Sequence, residues 1–154
     1  VIRQPGQRQP LETDLPAIAL PALPDGGKVV AQAMEDRFDL MEVGDGHAVF
    51  QGVPDIRYYN PMGTVHGGWY ATLLDSALGC AVHTMMPPGR GYTTAELGVN
   101  LVKAIGPKAP RVRVEGKVIH CGRQLATAEA RLFGPDGTLD AHATTTCLVF
   151  ELKA

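Results

Sequence analysis

Apolar and polar positions change period along the chain, and the changes mark out its elements. From His66 to Met85 the period is helical: Tyr70, Leu73, Leu74, Ala77, Leu78 and Ala81 recur at three- and four-residue steps, and Pro87-Pro88-Gly89 stops the run. No other long segment has that period. Phe38–Val43 and His47–Val53 flank a Gly44-Asp45-Gly46 turn and read as a hairpin, its first strand weakly patterned. After the helix, Thr93–Val102 is one strand. Arg111–His120 sets Val112, Val114, Gly116 and Val118 against Arg111, Arg113, Glu115 and Lys117. Leu125–Phe133 sets Ala126, Ala128, Ala130 and Leu132 against Leu125, Thr127, Glu129 and Arg131, and Ala141–Leu152 is the last strand. Cys121-Gly122-Arg123 and Pro135-Asp136-Gly137 supply turns, the second with a type I or II signature. Such short connections call for antiparallel pairing. The expected fold class is α+β, an antiparallel sheet wrapped around one long central helix.

Residues 1–26 carry Pro5, Pro10, Pro16, Pro21 and Pro24, too many for a helix or a central strand, and read as a tail. A short helix is expected from Lys28 to about Arg37. Residues 27–154 are read as one domain, which suits a chain of 154 residues that is 45% hydrophobic. The net charge of −2 gives no basic excess for nucleic acid or an anionic membrane. The start lacks the apolar core of a signal peptide, and no run approaches a membrane span. A cytoplasmic protein is therefore expected. Cys80, Cys121 and Cys147 are odd in number and fit no zinc spacing, so they read as small packing residues in a reducing compartment, with no metal site.

Between Arg57 and Arg90 the only formal charge is Asp75, in the middle of the predicted helix. At the chain's 19% average, about six charges would be expected over such a stretch. A buried helix with one carboxylate must compensate that charge or use it. The residues one turn away, Ala71, Thr72, Leu78 and Gly79, are mostly small. The plain alternative is an Asp75 bonded to Thr72 or Ser76, or facing water. Upstream lies Asn60-Pro61-Met62-Gly63-Thr64-Val65-His66-Gly67-Gly68. Its Gly67-Gly68 pair opens the helix and exposes amide N–H groups without intrahelical partners, which can hold an anion or an oxyanion.

The stretch NPMGTVHGGWYATLLDSALG resembles the signature of hotdog-fold thioesterases of the phenylacetate-degradation (PaaI-like) type, which hydrolyse acyl-CoA. The likeness runs from about residue 38 to 150 and includes T-T-A-E-L-G-V-N after the helix, G-R-Q near Arg123 and P-D-G-T before the last strand. The resemblance implies a role for each matching residue. The Gly67 N–H would bind the thioester carbonyl, and His66 would help hold it. Asp75 would be the general base or the nucleophile, and Asn60 would position the water. Thr94 would assist Asp75, although Thr93 beside it fits as well. Gly68 and Trp69 are expected to bind substrate, and of Trp69 and Tyr70 at the helix start one would line the acyl pocket. Lys103, Gly122 and Arg123 would meet the CoA end. The substrate would be an acyl-CoA, with no separate cofactor.

Helix geometry adds a constraint of its own. Gly67 and Asp75 are eight residues apart, about 12 Å along a helix axis, so one copy cannot use both on one carbonyl. Two copies related by a two-fold axis can, which calls for a homodimer or a dimer-of-dimers tetramer. His47, His83, His120 and His142 read as strand or surface residues. Tyr70 reads as core, and Met85, Met86 and Pro87 as a far wall. Two other functions remain open at this point: a hotdog dehydratase using His66 with Asp75, and a module that binds acyl-CoA without cleaving it.

Overall fold

The computed structural model describes residues 38–106 and 111–152. The expected tail at 1–26 and the short helix near 28–37 lie outside them. Six strands form one antiparallel sheet: β1 (Phe38–Gly44), β2 (His47–Gly52), β3 (Arg90–Leu101), β4 (Val112–Cys121), β5 (Leu125–Phe133) and β6 (Leu139–Glu151), in the order β1-β2-β4-β5-β6-β3. The one long helix among the described residues, α1 (Gly67–Thr84), follows β2 and contacts each of these strands. This is the sheet-around-helix architecture expected from the sequence. Strand ends differ by up to three residues, the largest shift being β3, which begins at Arg90. The sequence reading omitted a short 3₁₀ turn at Ile56–Tyr58, capped by the Asp55 side chain.

The core lies between the helix and the inner sheet face. Trp69, Tyr70, Leu73, Leu74, Ala77, Leu78, Ala81 and Val82 are its helical half. Val112 and Val114, then Ala126, Ala128, Ala130 and Leu132, are buried from the facing strands, as strand alternation requires. Small residues set the spacing. A Cβ on Gly116 would stand 2.4 Å from the Ala77 carbonyl oxygen, so the helix rests directly on the β4 backbone there. The turn after β5 is type I: Gly137 N–H donates to the Gly134 carbonyl, and among the described residues none other than glycine has positive φ, which rules out type II with Asp136 at its third position.

Strand β3 is one edge of the sheet, and a β-bulge interrupts it between Thr94 and Glu96. Before the bulge, Tyr92 pairs with Val149 and Thr94 with Cys147, both buried, so Tyr92 and Thr94 face the helix. After it, Leu97 and Val99 face inward instead and pack on the core. The extra residue at Ala95 shifts the alternation by one. The Thr145 hydroxyl donates to the Glu96 carbonyl at 2.8 Å and pins the bulge.

Candidate active site

The loop before the helix is tied by its own polar groups. Asn60 Oδ1 accepts from the Met62 and Thr64 amides at 3.0 and 3.2 Å, and its Nδ2 donates to Thr64 Oγ1 at 2.8 Å. Gly63 supplies the left-handed residue at φ 80°. The His66 amide then donates to the Tyr58 carbonyl, and the Val65 amide to the Ile105 carbonyl. From beneath, the Tyr70 hydroxyl accepts the Ile105 N–H at 2.6 Å and donates to the Lys103 carbonyl. Tyr70 is thus a core residue with its polar end spent on the loop.

His66 is the N-cap of α1. Its Nδ1 accepts the Gly68 N–H at 2.9 Å, and its carbonyl accepts the Trp69 N–H at 3.0 Å. With Nδ1 an acceptor, the neutral ring carries its proton on Nε2. The Gly67 N–H makes no hydrogen bond to any described residue. Two donors, this amide and His66 Nε2–H, therefore stand unspent at the positive end of the helix. Gly68 has already given its amide to His66, which places it as a cap partner. Trp69 is buried against Phe38, ring centroids 5.7 Å apart, with Nε1 shielded and without a hydrogen-bond partner among the described residues. It packs in the core near the helix start.

Asp75 lies on the flank of α1 that faces β3. Its Oδ1 is closed off from solvent and has no hydrogen-bond partner among the described residues. Burial pushes the carboxyl above its ordinary range, and the Thr94 side chain, hydrogen-bonding to it, pulls partly back. The structure thus brings Thr94 to Asp75 and turns Thr93 outward beside exposed Leu148. Thr72 and Ser76, the alternative partners, hydrogen-bond instead to the Gly68 and Thr72 carbonyls. Two thiols stand close by. Burial and the Asp75 charge push the Cys80 thiol up to about 11, and burial raises Cys147 as well, so both stay protonated and inert at neutral pH.

The positions assigned to the CoA end separate. The Lys103 ammonium is committed to Asp136 at 3.1 Å and Thr138 at 3.0 Å, with Asp140 at 3.9 Å. It braces the turn between β5 and β6. The Gly122 amide closes the β4–β5 turn on the Leu125 carbonyl, and exposed Arg123 sits beside it. Arg90, missed in the sequence, donates to the Arg123 carbonyl and brings a second guanidinium to that turn. No periodicity could have shown this, because Arg90 and Arg123 meet only through the sheet order. The other expected groups are dispersed: His47, His120 and His142 lie in strands, His83 lies near the helix end, and Met85 packs by Gly46. Among the described residues no group of three or more His, Cys, Asp or Glu is arranged to hold a metal, and no helix is long and apolar enough to cross a membrane.

The model of the thioesterase superfamily matches residues 62–141, from the loop before α1 into β6. A relative in Pseudomonas aeruginosa that bears an esterase name is 30% identical over 112 residues, covering 72% of this chain and 77% of that one. Another, in Halobacterium salinarum, is 33% identical over 82 residues, 53% of this chain, and the match spans about half of that relative (54%). The phenylacetic acid degradation protein PaaI of Thermus thermophilus, in a mutant structure, superposes with a TM-score of 0.69 at 25% identity, covering 76% of this chain and 97% of that one. A Streptococcus pneumoniae thioesterase solved with coenzyme A also gives 0.69, at 24% identity, covering 77% and 90%. This chain belongs to the thioesterase superfamily, and its domain is that of a hotdog-fold thioester hydrolase.

Proposed function

We propose that the protein hydrolyses acyl-CoA thioesters at sites shared between two copies, with Asp75 of one copy as the base and the Gly67 amide of the other as the oxyanion donor. The observation that carries this reading is the Asp75 carboxylate: half-buried, with one oxygen unpartnered, and about 12 Å along the helix from the open Gly67 amide. An acid raised by burial is a stronger base than a free carboxylate. It takes a proton from water, and the water oxygen bonds to the thioester carbon. Negative charge gathers on the carbonyl oxygen, where Gly67 N–H and His66 Nε2–H receive it. The C–S bond then breaks, the carbonyl reforms, and the proton on Asp75 passes to the departing thiolate. The products are a carboxylic acid and CoA. Thr94 orients the carboxyl. Asn60 keeps the His66-Gly67 loop in place by spending its side chain on Thr64 and Met62.

Edge strand β3 supports the shared site. Among the described residues it is a twelve-residue edge that pairs with β6 on one side only, and such an edge is a template for a second copy. Thr94 faces the helix yet is exposed, so the cleft beside Asp75 is open along that edge. At the CoA end, exposed Arg123 offers a guanidinium to phosphate, and Arg90 holds its turn through the Arg123 carbonyl.

Gly67→Pro tests the oxyanion role, with the tip of the Leu101 side chain, 2.9 Å from an added Cβ, having to shift. Gly67 is the first helical residue, where proline fits without loss of an internal bond, and His66 already has the extended φ of −65° and ψ of 137° that precedes proline well. The expected loss is about 10²–10³-fold in kcat with the helix intact. Mixing Gly67→Pro with Asp75→Ala should restore about one quarter of wild-type activity, because half the dimers then carry one complete site of two. No recovery on mixing, with exchange of subunits verified, would contradict a shared site.

A further inference from the structure

Tyr92 is the polar group beside Asp75 that the mechanism leaves unused. It faces the helix two residues before Thr94, and it is to Gly79 what Thr94 is to Asp75. Gly79 lies four residues after Asp75, about 6 Å along the axis. A Cβ on Gly79 would stand 3.2 Å from the Tyr92 hydroxyl, so the missing side chain is what lets that hydroxyl reach the helix. The ring lies at 6.0 Å from the His83 ring. Burial first, then the nearby Cys80 and Cys147 thiols and the Asp75 charge, hold the phenol well above its ordinary range. It is a neutral hydroxyl, able to donate and accept, and it makes no hydrogen bond to any described residue.

Beyond Asp75, Gly79, Cys80, Cys147 and the Tyr92 ring lie together, with one hydroxyl unspent. The charged CoA arm must leave toward water, so the enclosed direction belongs to the acyl group. With the carbonyl carbon one water away from Asp75, an oxygen on the third acyl carbon can reach toward the hydroxyl one helical turn on. We propose that Tyr92 sets acyl specificity: its hydroxyl hydrogen-bonds an oxygen on the third acyl carbon, so the preferred substrates are 3-hydroxyacyl or 3-oxoacyl thioesters. This rests on Asp75 being the base.

The test compares kcat/KM for a 3-hydroxyacyl-CoA and the unsubstituted acyl-CoA of equal length in wild type, Tyr92→Phe and Asp75→Asn. Phenylalanine keeps the ring and its packing, which an unchanged melting temperature verifies. Wild type should favour the hydroxyacyl substrate about tenfold or more, and Tyr92→Phe should erase the preference by slowing that substrate alone. Gly79→Ala, which crowds the hydroxyl, should reduce the preference in the Tyr92 protein and leave Tyr92→Phe unchanged. An equal loss on both substrates, or no loss on either, overturns the specificity role. If Asp75→Asn is inactive in that case, the base survives and only Tyr92 is misassigned. Full activity in Asp75→Asn overturns both.

Discussion

Asp75 and Asp140 are both carboxylates that burial pushes above their ordinary range, and the fold surrounds them in opposite ways. Asp140, at the start of β6, is 3% exposed. Its Oδ1 has Lys103 at 3.9 Å and the Thr138 hydroxyl at 3.3 Å, and its backbone carbonyl accepts the amides of Val102 and Lys103. A Cβ on Gly134 would come within 2.5 Å of Oδ2, so a glycine makes the room. Every feature there fastens the end of β3 to the β5–β6 turn. Asp75 has Thr94 and an oxygen with no hydrogen-bond partner among the described residues, beside an open sheet edge. A buried acid with a cation and a hydroxyl is a structural fastening. A buried acid with a free oxygen is held ready for something else.

Replacing each acid tests that contrast most severely. Asp75→Asn should lower kcat about 10³-fold or more with KM changed little, and Asp140→Asn should leave kcat within a few-fold of wild type. Thiol release from acyl-CoA reads both. Comparable losses in the two variants would erase the distinction. The hydroxyl partners sharpen it. Thr94→Val should cost about tenfold in kcat, because Thr94 touches Asp75. Thr93→Val should cost nothing, because Thr93 faces away. Equal effects would show that strand integrity, not the side chain, matters.

Stability against pH separates the acids by sign. Each binds its proton more tightly folded than unfolded, so each contributes stability below the unfolded value near 3.8 that is lost as pH rises through its raised folded value. At neutral pH the ionised Asp75 is a cost with little return. Asp75→Asn should therefore raise the melting temperature at pH 7 by about 2–5 °C and flatten its decline from pH 4 upward. Asp140→Asn should give no such gain, because it also removes the partner of Lys103. The activity of wild type should rise with pH through the same raised Asp75 value, an acid limb with its midpoint above 3.8. The smallest effect concerns the two basic residues. Arg123→Ala should raise KM for acyl-CoA a few-fold at low salt and less at high salt. Lys103→Ala should lower the melting temperature while leaving KM unchanged.

Much of this could be read before folding, and particular residues show where reading stopped. The helix was legible because six apolar side chains keep its period and two prolines end it. Asp75 was legible as the one charge in an otherwise uncharged run. Thr93 and Thr94 could not be told apart, because strand alternation fails at the bulge, and a bulge is fixed by its neighbour strand. Lys103 looked free as a strand-end cation, but Asp136 and Asp140 meet it only after β5 and β6 return alongside β3. Arg90 and Tyr92 gave no signal at all, since one is an ordinary strand-end charge and the other an ordinary strand aromatic.

The sequence by itself determined periodicity, helix start and stop, and the identity of the lone helix acid, because these depend on residues within a few positions of each other. Only the tertiary structure decided which threonine reaches that acid, which cation is already paired, and which hydroxyl fills the place a glycine leaves empty. Those contacts join residues 13 to 37 positions apart, and distances across a sheet follow from strand order and register, which no local pattern encodes.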